Sequence, residues 1–234
     1  MSEPHSNHTA SSGLSPFYGQ LLQFPLFQGL GRSELLQMAG NTRFGFYKQA
    51  ADRVVVSEGQ ACSQLFFLVK GTLQIESRPD DHSYCMIEQL QAPWQLQPEV
   101  LFGLSLRYTQ TVRTLTECHF IVLSKDEVLR LFDEIFIFRL NYLNLLASLG
   151  QQRSHRLWRR APQTLSDRLV RFFVDHSVYP AGRKELRILM KQLGTEVNDS
   201  RLDVSRVLNE MQQKGLVELH RGRIVIPLLE RLFM

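Results

Sequence analysis

The stretch Leu193-Gly194-Thr195-Glu196-Val197-Asn198-Asp199-Ser200-Arg201-Leu202-Asp203-Val204-Ser205-Arg206-Val207-Leu208 decides the fold. Its apolar spacing predicts two helices, over about 189–197 and about 200–213, with only Asn198-Asp199 between them. Asn tolerates the positive φ that a sharp interhelical turn requires. Asp199 is the expected cap of the second helix. Val204, Val207, Leu208 and Met211 give that helix an apolar rear. Ser200, Arg201, Asp203, Ser205 and Arg206 fall forward or on its flanks.

Working outward, Pro162 marks a break, since proline fits poorly inside a helix. A helix is expected over about 164–176, with Leu165, Leu169, Phe172 and Phe173 on its apolar face. Glu185-Leu186-Arg187-Ile188 alternates like a short strand. Strands at 216–219 and 224–226 are joined by His220-Arg221-Gly222-Arg223. Helix, strand, two helices and a hairpin make a winged helix-turn-helix.

Upstream, Ser124-Lys125-Asp126-Glu127 reads as a capping box that opens a short helix. A long helix over about 134–160 follows. Phe136, Leu140, Leu143, Ala147, Gly150, Ser154 and Leu157 recur along it at spacings of four and three. This seam fits a dimer interface about 30 Å long at 1.5 Å per residue; the alternative is packing on its own domain. Earlier still, short strand-like runs are separated by turn signals: Val54-Val55-Val56, Leu65-Phe66-Phe67-Leu68-Val69, Thr72–Glu76, Tyr84–Ile87, Thr109–Leu115 and His119–Leu123. Lys70-Gly71 is expected to turn tightly between two of them. Such a series argues for a jelly roll.

Charge divides the chain the same way. Residues 151–234 carry 16 Lys+Arg against 9 Asp+Glu, net +7, whereas residues 1–150 carry 11 against 14, net −3. A basic third attached to an acidic remainder suggests a polyanion-binding module joined to a different one. Arginine matches guanine O6 and N7 with two hydrogen bonds. Arg201 and Arg206 lie about 140° apart on a helix, so they reach neighbouring base edges rather than one. The hairpin tip supplies cations for the sugar–phosphate backbone. The expected DNA-contacting set is Lys191, Ser200, Arg201, Leu202, Asp203, Ser205, Arg206, His220, Arg221 and Arg223.

Together these residues resemble the cyclic-AMP receptor protein/fumarate–nitrate regulator family of bacterial transcription factors, over roughly 24–226. The Ser-Arg-x-x-Val-x-Arg-x-Leu core from Ser200 to Leu208 is the most specific part. The resemblance implies base reading by Arg201 and Arg206, a phosphate contact by Ser200 and a wing position for His220. Leu202 stands where the family usually reads a base with a polar residue. Leucine meets a thymine methyl but accepts no hydrogen bond, so an altered target site is expected.

Glu58-Gly59-Gln60-Ala61 with Leu65–Gly71 resembles the family's β-roll signature. The family's cyclic-nucleotide pocket uses a Gly-Glu pair and, about ten residues on, an Arg-Ser/Thr pair. Here those places hold Gln97-Pro98 and Tyr108-Thr109, with Glu99 and Arg107 each displaced by one. Proline also removes an N–H that could cradle phosphate. A small effector other than cyclic AMP is therefore expected, the alternatives being cyclic AMP itself and no required ligand. The candidate pocket residues are Glu99, Arg107, Tyr108, Thr109, Arg153 and Ser154, the last two from the long helix.

Three scattered cysteines, Cys62, Cys85 and Cys118, match no zinc or iron–sulfur spacing, and no metal or iron–sulfur cluster is expected. His82, His119 and His155 show no pattern that would mark a haem ligand. Nucleophile-elbow, metal-hydrolase and phosphate-loop motifs are missing from the sequence, which argues against an enzyme. The expected architecture is α+β: a tail at 1–16 read as disordered, a cyclic-nucleotide-binding-like jelly roll at 17–133, a dimerisation helix at 134–161 and a winged helix-turn-helix at 162–234. The expected partners are double-stranded DNA, a second copy of the chain, RNA polymerase and a small effector, in a bacterial cytoplasm and without a membrane. The competing reading is a ligand-binding or protein-interaction module whose winged helix no longer reads DNA.

Overall fold

The computed structural model describes residues 16–233, so the expectation for the N-terminal tail falls almost wholly outside the described residues. The chain opens with α1 (Pro16–Leu21), a 3-10 turn at Pro25–Phe27 and α2 (Arg32–Asn41). Eight strands follow: β1 (Gly45–Gln49), β2 (Val54–Val56), β3 (Gln64–Lys70), β4 (Thr72–Ser77), β5 (Cys85–Gln91), β6 (Trp94–Gln95), β7 (Gln110–Thr114) and β8 (Cys118–Ser124). Then come α3 (Lys125–Glu134), α4 (Phe136–Leu157), α5 (Leu165–Asp175), β9 (Lys184–Arg187), α6 (Met190–Glu196), α7 (Arg201–Gln213), β10 (Glu218–His220) and β11 (Arg223–Ile226).

Two antiparallel sheets form, in the orders β1-β8-β3-β6 and β10-β11-β9-β5-β4-β7-β2. Leu65–Leu68 is buried throughout rather than alternating, because both faces of β3 are covered. Phe67 packs on Phe24 and Phe27, at ring-centroid distances of 5.1 and 5.3 Å. Its neighbour Phe66 points the other way, onto Tyr47 and Phe120.

The structure corrects four local readings. Lys70-Gly71 does not close a hairpin: β3 pairs with β8 and β6, β4 pairs with β5 and β7, and the chain changes sheets at Gly71. Gly71 has φ +110°, and a Cβ there would lie 2.6 Å from Cys118 Sγ and 2.7 Å from the Glu117 carbonyl. Only glycine fits such a crossing. The second correction concerns Ser124, which caps α3 by accepting from the Glu127 N–H at 3.2 Å. Glu127 does not complete the box; its carboxylate accepts instead from the Arg43 N–H. Third, Ser200 and not Asp199 caps α7, accepting from the Asp203 N–H at 3.1 Å. Asp199 instead pairs with Arg168 of α5. Fourth, β1 and β6 were not anticipated.

The 22-residue α4 is apolar on two sides. Phe138 and Tyr142 are buried against the roll, and the Tyr142 hydroxyl donates to the Pro98 carbonyl at 2.6 Å. On another side Phe136, Leu140, Leu143, Ala147, Gly150, Ser154 and Leu157 are all exposed. Within one chain, the seam read from the sequence is therefore an uncovered apolar stripe. Cys62, Cys85 and Cys118 are free thiols in buried positions.

Candidate DNA interface and effector cavity

The two helices of the reader meet at a left-handed residue, Asn198 (φ 53°). Their approach is tight at Gly194, where a Cβ would lie 2.8 Å from the Asp199 carbonyl oxygen. Arg168 pins the turn, since its Nε donates to the Val197 carbonyl at 2.9 Å and its guanidinium pairs with Asp199. Sequence reasoning missed this arginine, which carries no local pattern on α5. Val204, Leu208 and Met211 bury the rear of α7 against α5 and β9 residues such as Leu169, Phe173 and Leu186.

The opposite edge of α7 faces outward. Arg201 and Arg206 are exposed, and Leu202 is 81% exposed between them. Asp203 holds the Arg206 guanidinium at 2.9 Å, and the Ser200 hydroxyl donates to Asp203 at 2.6 Å. Lys191 is exposed on α6. Beside them β10 and β11 pair as a hairpin with Glu218 opposite Val225 and His220 opposite Arg223. The hairpin turns through Arg221-Gly222, with Gly222 at φ +71°. His220, Arg221 and Arg223 are exposed along it. The predicted DNA set thus belongs to the reader's two helices and wing, with an unpolar leucine amid its charged edge.

A cavity of about 670 Å³ lies where the roll, α4 and the reader meet. The roll contributes Trp94, Gln97, Glu99 and Thr109; α4 contributes Leu145, Leu149 and Arg153; the reader contributes His176 and Ser177. Of the predicted pocket residues, Glu99, Thr109 and Arg153 line it, and Arg153 pairs with Glu99 at 3.2 Å. Arg107, Tyr108 and Ser154 do not join them. The Arg107 guanidinium donates to the Gly59 carbonyl at 2.7 Å. Tyr108 is buried, its hydroxyl donating to the Gln64 carbonyl at 3.2 Å, and burial pushes that phenol far above its ordinary pKa. Ser154 is exposed on α4.

The corner at Gln97 is closed on itself. Gln97 is left-handed (φ 32°), which swings its amide across the cavity wall. Its Oε1 accepts from the Thr109 N–H at 3.0 Å and its Nε2 donates to the Thr109 hydroxyl at 3.0 Å. The N–H that a phosphate would use is already satisfied, and Arg107 is engaged elsewhere. Trp94 and His176 were not anticipated in this cavity; nothing in their sequence neighbourhoods marks them.

Comparison with known proteins follows the same division. The Cyclic nucleotide-binding domain profile matches residues 48–134, and that of the Crp-like helix-turn-helix domain matches residues 167–233. The chain belongs to the cyclic-AMP receptor protein/fumarate–nitrate regulator family. The cAMP-activated global transcriptional regulator CRP of Haemophilus influenzae is 21% identical over 193 residues, covering 79% of this chain and 85% of its own. A transcriptional regulator of the crp/fnr family from Eubacterium rectale shares the fold, with TM-score 0.51 and 17% identity over 90% of this chain and 96% of that one. So does the sensor domain of the transcriptional regulator DNR from Pseudomonas aeruginosa, with TM-score 0.50 and 16% identity over 64% and 96%.

The chain is thus a CRP-like transcription regulator with a helix-turn-helix DNA-binding domain, in a family of dimeric regulators rather than enzymes. Among the described residues, no helix is long and apolar enough to cross a membrane. No group of three or more His, Cys, Asp or Glu among them could hold a metal ion.

Proposed function

We propose that this protein is a homodimer that binds a two-fold operator and answers to a small effector other than cyclic AMP. The carrying observation is the outward edge of α7, where Arg201 and Arg206 stand exposed over a buried rear and beside a cationic wing. A two-fold dimer spaces two such helices about 34 Å apart, one turn of DNA. The bare stripe of α4, from Phe136 to Leu157, supports the dimer, because burying it requires a second chain or another partner. Residues 17–133 act as the effector domain, 134–161 as the dimer helix and 162–234 as the reader. RNA polymerase is the partner such a regulator would address from the cytoplasm.

Closure of the Gln97–Thr109 corner supports the choice of effector. A cyclic nucleotide needs a cation and free N–H groups for its phosphate; at this corner Gln97 takes the Thr109 N–H, and Glu99 takes the nearby Arg153. The cavity's walls combine Trp94, Leu145 and Leu149 with the amides of Gln95 and Gln97 and with Arg78, Arg153 and Arg156, and so suit a ligand with an apolar body and a few polar or anionic groups.

The test is a mobility-shift assay on an operator selected from random DNA. Arg201→Ala with Arg206→Ala should abolish specific binding, and unchanged binding overturns the proposal. The second reading, a winged helix that no longer reads DNA, draws on the exposed Leu202. Selection that enriches no palindrome would favour it. Calorimetry with cyclic AMP should show no saturable binding up to about 1 mM.

A further inference from the structure

The seven-stranded sheet is not confined to one domain. Strand β5 of the roll pairs with β9 of the reader, placing Cys85, Met86, Ile87 and Glu88 opposite Arg187, Leu186, Glu185 and Lys184. One sheet therefore runs from the wing, through β9, into the sensor. Side chains two apart on a strand share a face, so Tyr84, Met86 and Glu88 point together. Tyr84 and Met86 belong to the same buried cluster as Leu169, Phe173 and Leu186 of the reader. Met86 is 1% exposed and its partner Leu186 is 0% exposed. Part of the reader's core is thus supplied by the sensor.

Glu88 completes the joint. Its carboxylate accepts from three reader groups: the Val178 N–H at 2.7 Å, the Tyr179 N–H at 3.2 Å and the Lys184 ammonium at 2.7 Å. Both members of the ion pair are fully buried. Removing either would strand a charge away from water. Tyr84 adds a hydrogen bond to His176. The Nδ1 of that histidine faces the Phe172 carbonyl at 2.7 Å and so must donate, which leaves Nε2 to accept from the Tyr84 hydroxyl at 2.9 Å.

The attachments of α4 are of another kind. Beyond Tyr142 every residue of α4 is half-buried or exposed. Arg153 meets Glu99 with its side chain 69% exposed, and Arg156 donates to the Asp175 carbonyl. The tether from Trp158 to Gln163 is exposed along most of its length and lies outside any helix or strand. Water-exposed ion pairs contribute little and rearrange readily, whereas the β5–β9 joint is built like a domain interior. The cavity lies between these two kinds of attachment, with α4 on one side and the roll–reader body on the other.

We propose that the sensor roll and the reader of one chain form a single rigid body, joined by the β5–β9 sheet, and that the C-terminal half of α4 is the part that moves against it. A ligand in the cavity would shift α4 against this body, and in a dimer that changes how two readers are spaced. This last step rests on the effector and dimer reading above; the rigid joint does not.

The first test needs no DNA or ligand. A protease recognition sequence is inserted after Ala161 in the full chain, which is then cut. The two pieces should co-elute on gel filtration under native conditions, and a reader piece eluting alone overturns the proposal. Met86→Asp in the same protein should release the reader piece; continued co-elution would show that the sheet is not what holds it. The second test introduces Arg187→Cys opposite the native Cys85. Oxidation should cross-link them, and failure to do so overturns the pairing. Selected operator DNA should bind the oxidised and reduced forms alike; a difference beyond about fivefold means the joint opens during regulation. If neither form binds any DNA, the reading of α7 fails and the rigid joint stands on the cleavage result.

Discussion

The turn at Asn198 and the corner at Gln97 use the same backbone device to opposite ends. Each is a left-handed residue that is not glycine and leads within three residues into a helical turn. At Asn198 the device throws the start of α7 outward, so that Arg201 and Leu202 face away from the core. At Gln97 it swings an amide inward, and that amide occupies Thr109. The difference lies in what the next side chains do. Ser200 and Asp203 cap their own helix, and Asp203 also holds Arg206 along its outer edge, so the arginines stay outward. Gln97 spends its bonds on the neighbouring loop and closes it. In the proposed function the first region presents its arginines to DNA, and the second, closed on itself, does not hold a cyclic nucleotide.

Five measurements sharpen or break this contrast. Gly194→Val should have the largest effect, because its Cβ would press on the fixed carbonyl of Asp199. A loss of about 3 kcal/mol is expected in denaturant unfolding, with DNA binding lost alongside. A fully stable variant would show that the elbow is not tight. Arg201→Ala should cost about 2 kcal/mol on the selected operator and relax preference at one base pair. Arg221→Ala, on the wing, should instead weaken all sequences evenly and lower the salt slope by about one. Ser200→Ala removes the cap of α7 and should lower stability by about 1 kcal/mol, read from thermal melts. If operator binding falls much further than stability, Ser200 also touches phosphate. Gln97→Ala should have the smallest effect. It frees the Thr109 N–H, a gain of no more than about 1 kcal/mol for an anion. Weak phosphate or cyclic-AMP binding should then appear by calorimetry, and its absence would place the obstacle in Pro98 and Arg107 instead.

The reader was legible in the sequence because its information is local. Apolar spacing along α7, a two-residue turn and a glycine at the wing tip lie within a few residues of the atoms they position. Even there the cap moved by one residue: Asp199 and Ser200 are both competent, and the choice went to Ser200 because Arg168, far away in sequence, claims Asp199. The spacing of the exposed stripe on α4 was legible for the same reason. The cavity was legible only in part: Glu99, Thr109 and Arg153 were read from the sequence, whereas Tyr84, Trp94 and His176 join them only through the tertiary fold. Arg107, Tyr108 and Thr109 are adjacent in sequence, yet only Thr109 reaches it. The arginine turns to Gly59 across an isolated bridge between Ala61 and Arg107, and the tyrosine turns into the roll. Gly71 failed similarly: a glycine after a strand marks a sharp bend, but not whether the bend stays within one sheet.

Met86 and Tyr84 carry a last consequence, for modularity. Regulators of this shape invite reuse by recombination, one reader being grafted onto another sensor. Here the socket between Leu186 and Lys184 is filled by side chains of its own sensor. A transplanted segment of residues 162–233 would carry that socket empty, with an apolar floor and a stranded cation. Any chimaera would need a host strand that restores a large apolar side chain and a carboxylate two residues apart. Exchange of parts is therefore constrained in this chain by a pattern on the sensor side of the joint, whereas substitutions at Leu202 and its neighbours leave that joint untouched.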